Sequence, residues 1–352
     1  MYSKRQELEK FRKFKGPLID VRSPEEYYKG NLPNSINIPL FDNEERSIIG
    51  TIYKNYGREK AVIKGLEFVA NKIESIVINI NETFDFYKSN NNSKNSKSEK
   101  HTIKIYCARG GMRSLSIAWL LEKYNLKNVI LNGGYKAYRK WTLDSFNKDW
   151  KLIILGGKTG TGKTNLLKLL NENNYQVIDL EGLACHRGST FGGLGMKKQP
   201  TNEQFENLIA EELNRLKKNK KIFVEAESAN IGKCKIPSEF FNKMKTAKRI
   251  EIVKSESNRL EELIKTYSIF EEQDLIEAVM RIKKRLGPQR TKTAVESIKN
   301  KDWKSVCKSV LEYYDKCYEH EKNRRENVKT LNMIDIFDKK TTLKLITDYM
   351  KN

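Results

Sequence analysis

The chain has 352 residues, 38% of them hydrophobic and 10% aromatic, enough for two ordinary domains that each bury a core. Lys and Arg number 67 against 45 Asp and Glu; the formal charge of +22 implies a polyanionic partner, nucleic acid first, against a compositional reading in which abundant Lys, Asn and Ile reflect an AT-rich genome. No run approaches the roughly 18 uninterrupted apolar residues of a membrane span, and residues 1–15 are too charged for a secretory signal, so no membrane association is expected and the cytoplasm is.

In chain order, the first distinctive segments are Asp20-Val21-Arg22-Ser23-Pro24-Glu25-Glu26-Tyr27 and Gly30-Asn31-Leu32-Pro33-Asn34-Ser35-Ile36-Asn37-Ile38-Pro39. Residues 89–100 (SNNNSKNSKSEK) have nothing apolar to bury and read as a disordered insertion within a first domain spanning 1–145. Next, Ile103-Lys104-Ile105-Tyr106 reads as a buried strand and residues 114–124 as a helix, which places Cys107 where a strand ends and a tight loop begins. A lone cysteine there is ordinarily a small core residue. The loop Cys107-Ala108-Arg109-Gly110-Gly111-Met112-Arg113 reverses that expectation. Gly110 and Gly111 let backbone N–H groups converge on the sulfur, while Arg109, Arg113 and the positive helix end favour thiolate and would cradle an anion or an added sulfur or selenium atom. Downstream, Leu131-Asn132-Gly133-Gly134 closes the domain.

A boundary falls at residues 141–150, and a second domain, 146–352, opens with the strand Leu152-Ile153-Ile154-Leu155. Gly157-Lys158-Thr159-Gly160-Thr161-Gly162-Lys163-Thr164 follows, a full match to G-x-x-x-x-G-K-[ST], and then the apolar helix starting at Asn165. Gly157, Gly160 and Gly162 let amides surround a di- or triphosphate, Lys163 reaches phosphoryl oxygens, and Thr164 is the candidate magnesium ligand. The acidic strand end expected next is Lys221-Ile222-Phe223-Val224-Glu225-Ala226-Glu227-Ser228, with Glu in place of the commoner Asp. Between them lies the polar loop Asp179-Leu180-Glu181-Gly182-Leu183-Ala184-Cys185-His186-Arg187-Gly188-Ser189, suited to an active-site rim through Glu181, His186, Arg187 and Ser189, joined by Glu225 and Glu227. From about residue 255 the spacing predicts a mostly helical C-terminal part, whose Arg281, Arg285 and Arg290 form a basic helix end and turn able to close over phosphates or contact RNA. Five cysteines (Cys107, Cys185, Cys234, Cys307, Cys317) in odd number, without C-x-x-C, indicate neither a disulfide framework nor a cysteine zinc site, and His186 has no second ligand at metal spacing.

The segments around Asp20, Gly30, Cys107 and Gly133 resemble the rhodanese domain, an α/β fold whose loop cysteine holds a persulfide, over residues 10–145; Asn31-Leu32-Pro33 departs from the more frequent His-Ile-Pro. Taken with the phosphate loop and Leu180-Glu181-Gly182-Leu183-Ala184-Cys185-His186-Arg187-Gly188-Ser189, nearly the whole chain resembles the tRNA 2-selenouridine synthase family, a rhodanese domain fused to a P-loop NTPase-like α/β domain with a helical C-terminal part. What the resemblance implies is replacement of sulfur by selenium in wobble 2-thiouridine of tRNA, with no tightly bound cofactor. Selenophosphate would be the donor, the thiouridine would first be S-geranylated from geranyl diphosphate, and a selenophosphate-supplying enzyme is a candidate partner. Two other readings stay open: an ATP-dependent RNA sulfur-transfer enzyme, and a non-catalytic persulfide relay module.

Overall fold

The computed structural model of the chain describes residues 4–91, 101–189, 191–322, 328–332 and 339–351. The chain divides into two compact units, the first ending at Asp144 and the second beginning at Ser145. In each, short apolar strands alternate with helices, and a chain that must cross over after every strand pairs its strands in parallel.

The strands of the first unit are β1 (Arg5–Gln6), β2 (Leu18–Asp20), β3 (Ser35–Asn37), β4 (Ile103–Tyr106) and β5 (Asn128–Leu131), ordered β1-β5-β4-β2-β3 with every pairing parallel. Successive side chains of a strand point to opposite faces. Ile103, Ile105 and Cys107 therefore enter one core cluster with Ile19, Phe41 and Ile117, while Tyr106 enters another with Phe11, Leu131 and Tyr138. A buried ion pair belongs to the Asp20-Val21-Arg22 segment: the Arg22 guanidinium donates to both Asp20 oxygens and to Gly30 O, and stacks 3.8 Å over the Tyr135 ring. The helix expected from Ser114 starts two residues earlier, at Met112–Lys123. A 28-residue helix, Asn43–Ala70, is broken at Gly57, whose φ of 86° and ψ of −177° interrupt the hydrogen-bond ladder. The next helix, Ile73–Asn91, takes in the first three residues of the expected insertion, and the remainder, 92–100, lies outside the described residues.

In the second unit β6 (Leu152–Gly157), β7 (Gln176–Ile178) and β8 (Ile222–Glu225) precede a small antiparallel hairpin of β9 (Asn230–Ile231) and β10 (Cys234–Lys235); β11 (Lys248–Val253) and β12 (Val328–Asn332) follow. The main sheet is parallel, in the order β12-β11-β6-β8-β7. The C-terminal part is helical as expected, with one correction: β12 interrupts it and pairs along β11 from Arg249↔Val328 to Val253↔Asn332. No helix among the described residues is long and apolar enough to cross a membrane.

Both candidate sites follow from these orders. In each unit the chain leaves a central strand (β4 or β6) whose neighbours lie on opposite sides, and ligands bind at such switch points beyond the carboxyl ends of parallel strands.

Candidate functional sites

Cys107 is the first residue beyond β4, 3% exposed. Its loop is tied down from behind, since the N–H groups of Tyr135 and Lys136 donate to the carbonyls of Cys107 (2.8 Å) and Ala108 (2.9 Å). Gly110 adopts φ +64°, and a Cβ there would lie 2.5 Å from Leu131 O, so only glycine lets the loop turn this close to β5. The first intrahelical bond of Met112–Lys123 runs from Leu115 N to Gly111 O, which leaves the N–H groups of Met112, Arg113 and Ser114 without an intrahelical acceptor at the positive helix end.

Ser114, which site reasoning from sequence passed over, contacts the sulfur: its Oγ is 3.2 Å from Cys107 Sγ and 3.0 Å from Gly111 O. A hydroxyl has one proton. While Ser114 donates to Gly111 O it can only accept from the thiol; if the thiol ionises, the hydroxyl can rotate and donate to sulfur. The two loop arginines differ from one another. Arg109 is exposed, whereas Arg113 donates from both terminal nitrogens to Glu26, at 2.6 and 3.2 Å, so its charge is already partnered. Burial acts to raise the Glu26 carboxyl, but the hydrogen bonds and charge of Arg113, with Ser23 N–H and Arg46, hold it down at about 2.

In the second unit the phosphate loop runs from β6 into the helix Lys163–Glu172. Gly160 has φ +82° and passes so close to Arg259 that a Cβ would stand 2.9 Å from its carbonyl oxygen. The Lys163 ammonium donates to Gly157 O at 2.7 Å, inside the turn that would receive phosphate. Thr164 Oγ1 donates to Glu181 Oε2 at 3.3 Å, and the Glu181 N–H donates to Glu225 Oε1 at 2.7 Å, so one chain of contacts joins the loop to two of the sequence-predicted acids. Glu227 is hydrogen-bonded to Glu181 as well.

Glu225 lies beneath the rim rather than on it: it is 2% exposed and its Oε2 has no partner. Burial, with the nearby charges of Asp179 and Glu181, pushes its carboxyl well above the ordinary range. Burial also raises Glu181, with Asp179 adding to the effect and Lys163 opposing it. Magnesium binds through one or two protein oxygens, substrate phosphate and water. Among the described residues no three His, Cys, Asp or Glu side chains converge as a ready metal cage, yet Thr164 and Glu181 supply oxygens of the kind a phosphate-bound magnesium uses.

A family model described as tRNA 2-selenouridine synthase AAA domain matches residues 150–335, and a rhodanese-like domain model matches residues 4–140. A tRNA 2-selenouridine synthase of Sulfurovum sp. (strain NBC37-1) is 35% identical over 345 residues, covering 88% of this chain and 89% of that protein. The chain belongs to the tRNA 2-selenouridine synthase family. Other similar members are the synthase of Nitrosomonas eutropha, 33% identical over 85% of this chain and 73% of that protein, and that of Shewanella pealeana, 36% identical over 71% and 66%.

The remaining rim residues of this family member divide into those near the loop and those apart from it. His186 is half-buried with Nδ1 unpartnered, and burial with the charge of Arg281 lowers its pKa. Arg187 donates to Leu194 O at 3.2 Å, and Ser189 Oγ lies 3.2 Å from the Tyr267 hydroxyl, so both face the helical part. Arg285 is exposed, and Arg290 sits 3.8 Å from Glu312; among the described residues neither bonds to the phosphate loop.

What sequence reasoning missed is the cover that the helix Trp303–Lys322 places on the phosphate loop. Its Tyr318 hydroxyl accepts from Gly157 N–H and from Arg249, each at 2.5 Å, and bonds Glu251. Asp315 receives Arg259 through two hydrogen bonds, at 2.9 and 2.8 Å, while Lys158 pairs with Glu319 at 2.9 Å. No local signal marks these residues, because their partners are 56 to 161 positions away.

Proposed function

We propose that this chain is a tRNA-modifying transferase that replaces the sulfur of wobble 2-thiouridine by selenium in two half-reactions, one at each site. The observation that carries this reading is that a cysteine loop with free amides at a helix start and a phosphate loop backed by carboxylates occur in one strongly basic chain of the tRNA 2-selenouridine synthase family.

In the first half-reaction the amides of Gly160 and of residues 162–164, with the Lys163 ammonium, hold geranyl diphosphate. The thiouridine sulfur attacks C1 of the geranyl chain, the C1–O bond breaks, pyrophosphate leaves, and the N3 proton passes to solvent. Magnesium, held by Thr164 and Glu181, would neutralise charge on the departing pyrophosphate. Lys163 turns from Gly157 O to the phosphoryl oxygens when the ligand arrives.

In the second half-reaction the amides of Met112, Arg113 and Ser114 receive the phosphate end of selenophosphate beside Cys107. Selenium attacks C2 of the ring, the C2–S bond breaks, and geranylthiolate leaves and takes a proton from solvent. Water then cleaves the P–Se bond to release phosphate. Alkylation comes first because a thioether sulfur leaves C2 far more readily than the sulfur of a thiocarbonyl.

The test is nucleoside mass spectrometry on thiolated tRNA incubated with the protein, geranyl diphosphate and selenophosphate, each small molecule omitted in turn. The expected result is 2-selenouridine, with S-geranyl-2-thiouridine accumulating when selenophosphate is left out. Lys163→Ala should abolish geranylation and spare selenation of pre-geranylated tRNA, and Cys107→Ala the reverse; loss of both steps in both variants would refute the division of labour. The second reading, an ATP-dependent sulfur transferase, draws on the Thr164–Glu181 contact, which suits a nucleotide-bound magnesium equally well. Thermal stabilisation by ATP but not by geranyl diphosphate would favour it.

A further inference from the structure

Beside the Cys107 loop the first unit carries an open groove of about 380 Å³, within the size range of small-molecule sites. Its floor is apolar: Leu40, Phe41, Ile49 and Val69. Leu40 and Phe41 belong to the same core cluster as Cys107 itself. Met112 and Ser116, from the helix that starts at the cysteine loop, form one wall. The other wall is the broken helix Asn43–Ala70, which supplies Tyr53 and Leu66, 60% and 66% exposed. The helix turns at Gly57, so residues on both sides of the break reach the groove.

The rim has the opposite character. Arg46, Arg58 and Arg113 line it, and among the described residues no carboxylate does. Arg46 Nε is buried without a hydrogen-bond partner, 3.6 Å from Glu26, a carboxylate that Arg113 already occupies. An apolar trough under a cationic rim complements a hydrocarbon chain whose attached end is anionic, and a chain on a nucleotide within an RNA strand has that form, because phosphodiesters flank it.

We propose that this groove holds the alkyl chain of an S-isoprenylated nucleotide of the RNA, and so delivers C2 of that nucleotide to the Cys107 loop. The inference rests on the two-step reading given above and adds a site to it: the chain is recognised in the first unit after transfer. Arg58, with Arg46 beside it, meets the flanking phosphates while Arg113 stays on Glu26; Leu66 and Tyr53 cover the chain, and the departing thiol leaves through the open side. Each buried methylene is worth about fourfold in affinity. Partial burial in an open trough therefore predicts a preference on the order of 30-fold for alkylated over unalkylated RNA.

The experiment measures binding of the full chain to a stem-loop RNA carrying S-geranyl-2-thiouridine and to the same RNA carrying 2-thiouridine, and takes the ratio. The wild type should prefer the geranylated RNA by at least tenfold, and a five-carbon S-prenyl analogue should fall between the two. Leu66→Gln and Tyr53→Ser, both at exposed positions where folding tolerates a polar side chain, should each cut the ratio at least threefold and the double variant nearly to one, with unchanged thermal melts. A ratio near one in the wild type, or one that survives in the double variant, overturns the proposal. So does free geranyl diphosphate displacing the geranylated RNA from the wild type but not from Lys163→Ala, because the chain would then be held at the phosphate loop. A separate assay keeps the two readings apart. If the wild type makes no 2-selenouridine from the geranylated RNA and selenophosphate, the reaction reading fails; if it does and the binding ratio is unmoved, only the groove assignment fails.

Discussion

Glu26→Gln tests whether the cysteine loop is held by an ion pair formed far from it in sequence. In the folded protein Arg113 keeps the Glu26 carboxyl at about 2, against 4.5 for an unperturbed glutamate. A group whose folded pKa is depressed contributes stability that is present above its unfolded pKa and is lost as pH falls through the folded value. At about 1.4 kcal/mol per unit, the separation sets a ceiling of about 3 kcal/mol above pH 4.5. The Glu26 side chain is 27% exposed, and solvent screening brings the expected contribution to about 1–2 kcal/mol. The chain divides into two compact units and the ion pair lies in the first, so the readout must be local. Hydrogen exchange of the helices Pro24–Lys29 and Met112–Lys123 serves, since each carries one partner of the pair. At pH 7 the variant should lose about 1–2 kcal/mol of protection in these helices. At pH 3 the difference should fall below half of that, because the wild-type carboxylate is by then approaching its folded pKa. A gap of equal size at both pH values, or no gap at pH 7, would refute the argument. In a double-mutant cycle with Arg113→Met, the coupling energy should account for most of the pH 7 loss.

Four further substitutions and one titration test other parts of the structure. Gly134→Ala places a Cβ 2.2 Å from Cys107 O at φ +55°, so it should lower the melting temperature of the first unit and abolish selenium transfer; Gly111→Ala, whose Cβ meets nothing within 4 Å, should be far milder. In Glu225→Gln the raised native carboxyl pKa is removed. A raised acid pKa means stability that is complete below the unfolded value and declines as pH rises toward the folded one, so the wild type should lose more urea resistance than the variant between pH 5 and pH 9. Removing the Tyr318 hydroxyl with Tyr318→Phe strips a partner from Arg249, Gly157 N–H and Glu251, which should destabilise the second unit by about 1–3 kcal/mol in chemical denaturation. Binding of tRNA should weaken steeply with salt if the excess of Lys and Arg pairs with phosphates; a flat profile in a filter-binding titration would assign that charge to composition alone.

Sequence by itself determined what local patterns encode. The apolar run before Cys107, the glycines after it and the full phosphate-loop match identified two strand-loop-helix units, because strand periodicity, turn chemistry and helix starts are written within ten or so neighbouring residues. The helical spacing after residue 255 was equally legible; β12 was not, since five residues among helices become a strand only when β11 offers them an edge.

Tertiary structure alone decided the surroundings of both sites. Arg113 looked available to the sulfur until Glu26, 87 residues earlier, claimed it. Glu225 looked like a rim acid, and only burial beside Asp179 and Glu181 makes it a carboxyl that resists ionisation. The placement of the Trp303–Lys322 helix over the phosphate loop and the groove between Leu66 and Met112 have no sequence signature. The physical reason is common to these cases. A motif specifies the backbone it needs through local sterics and hydrogen bonding, whereas the charge, dielectric and shape around that backbone are set by side chains brought together from distant parts of the chain.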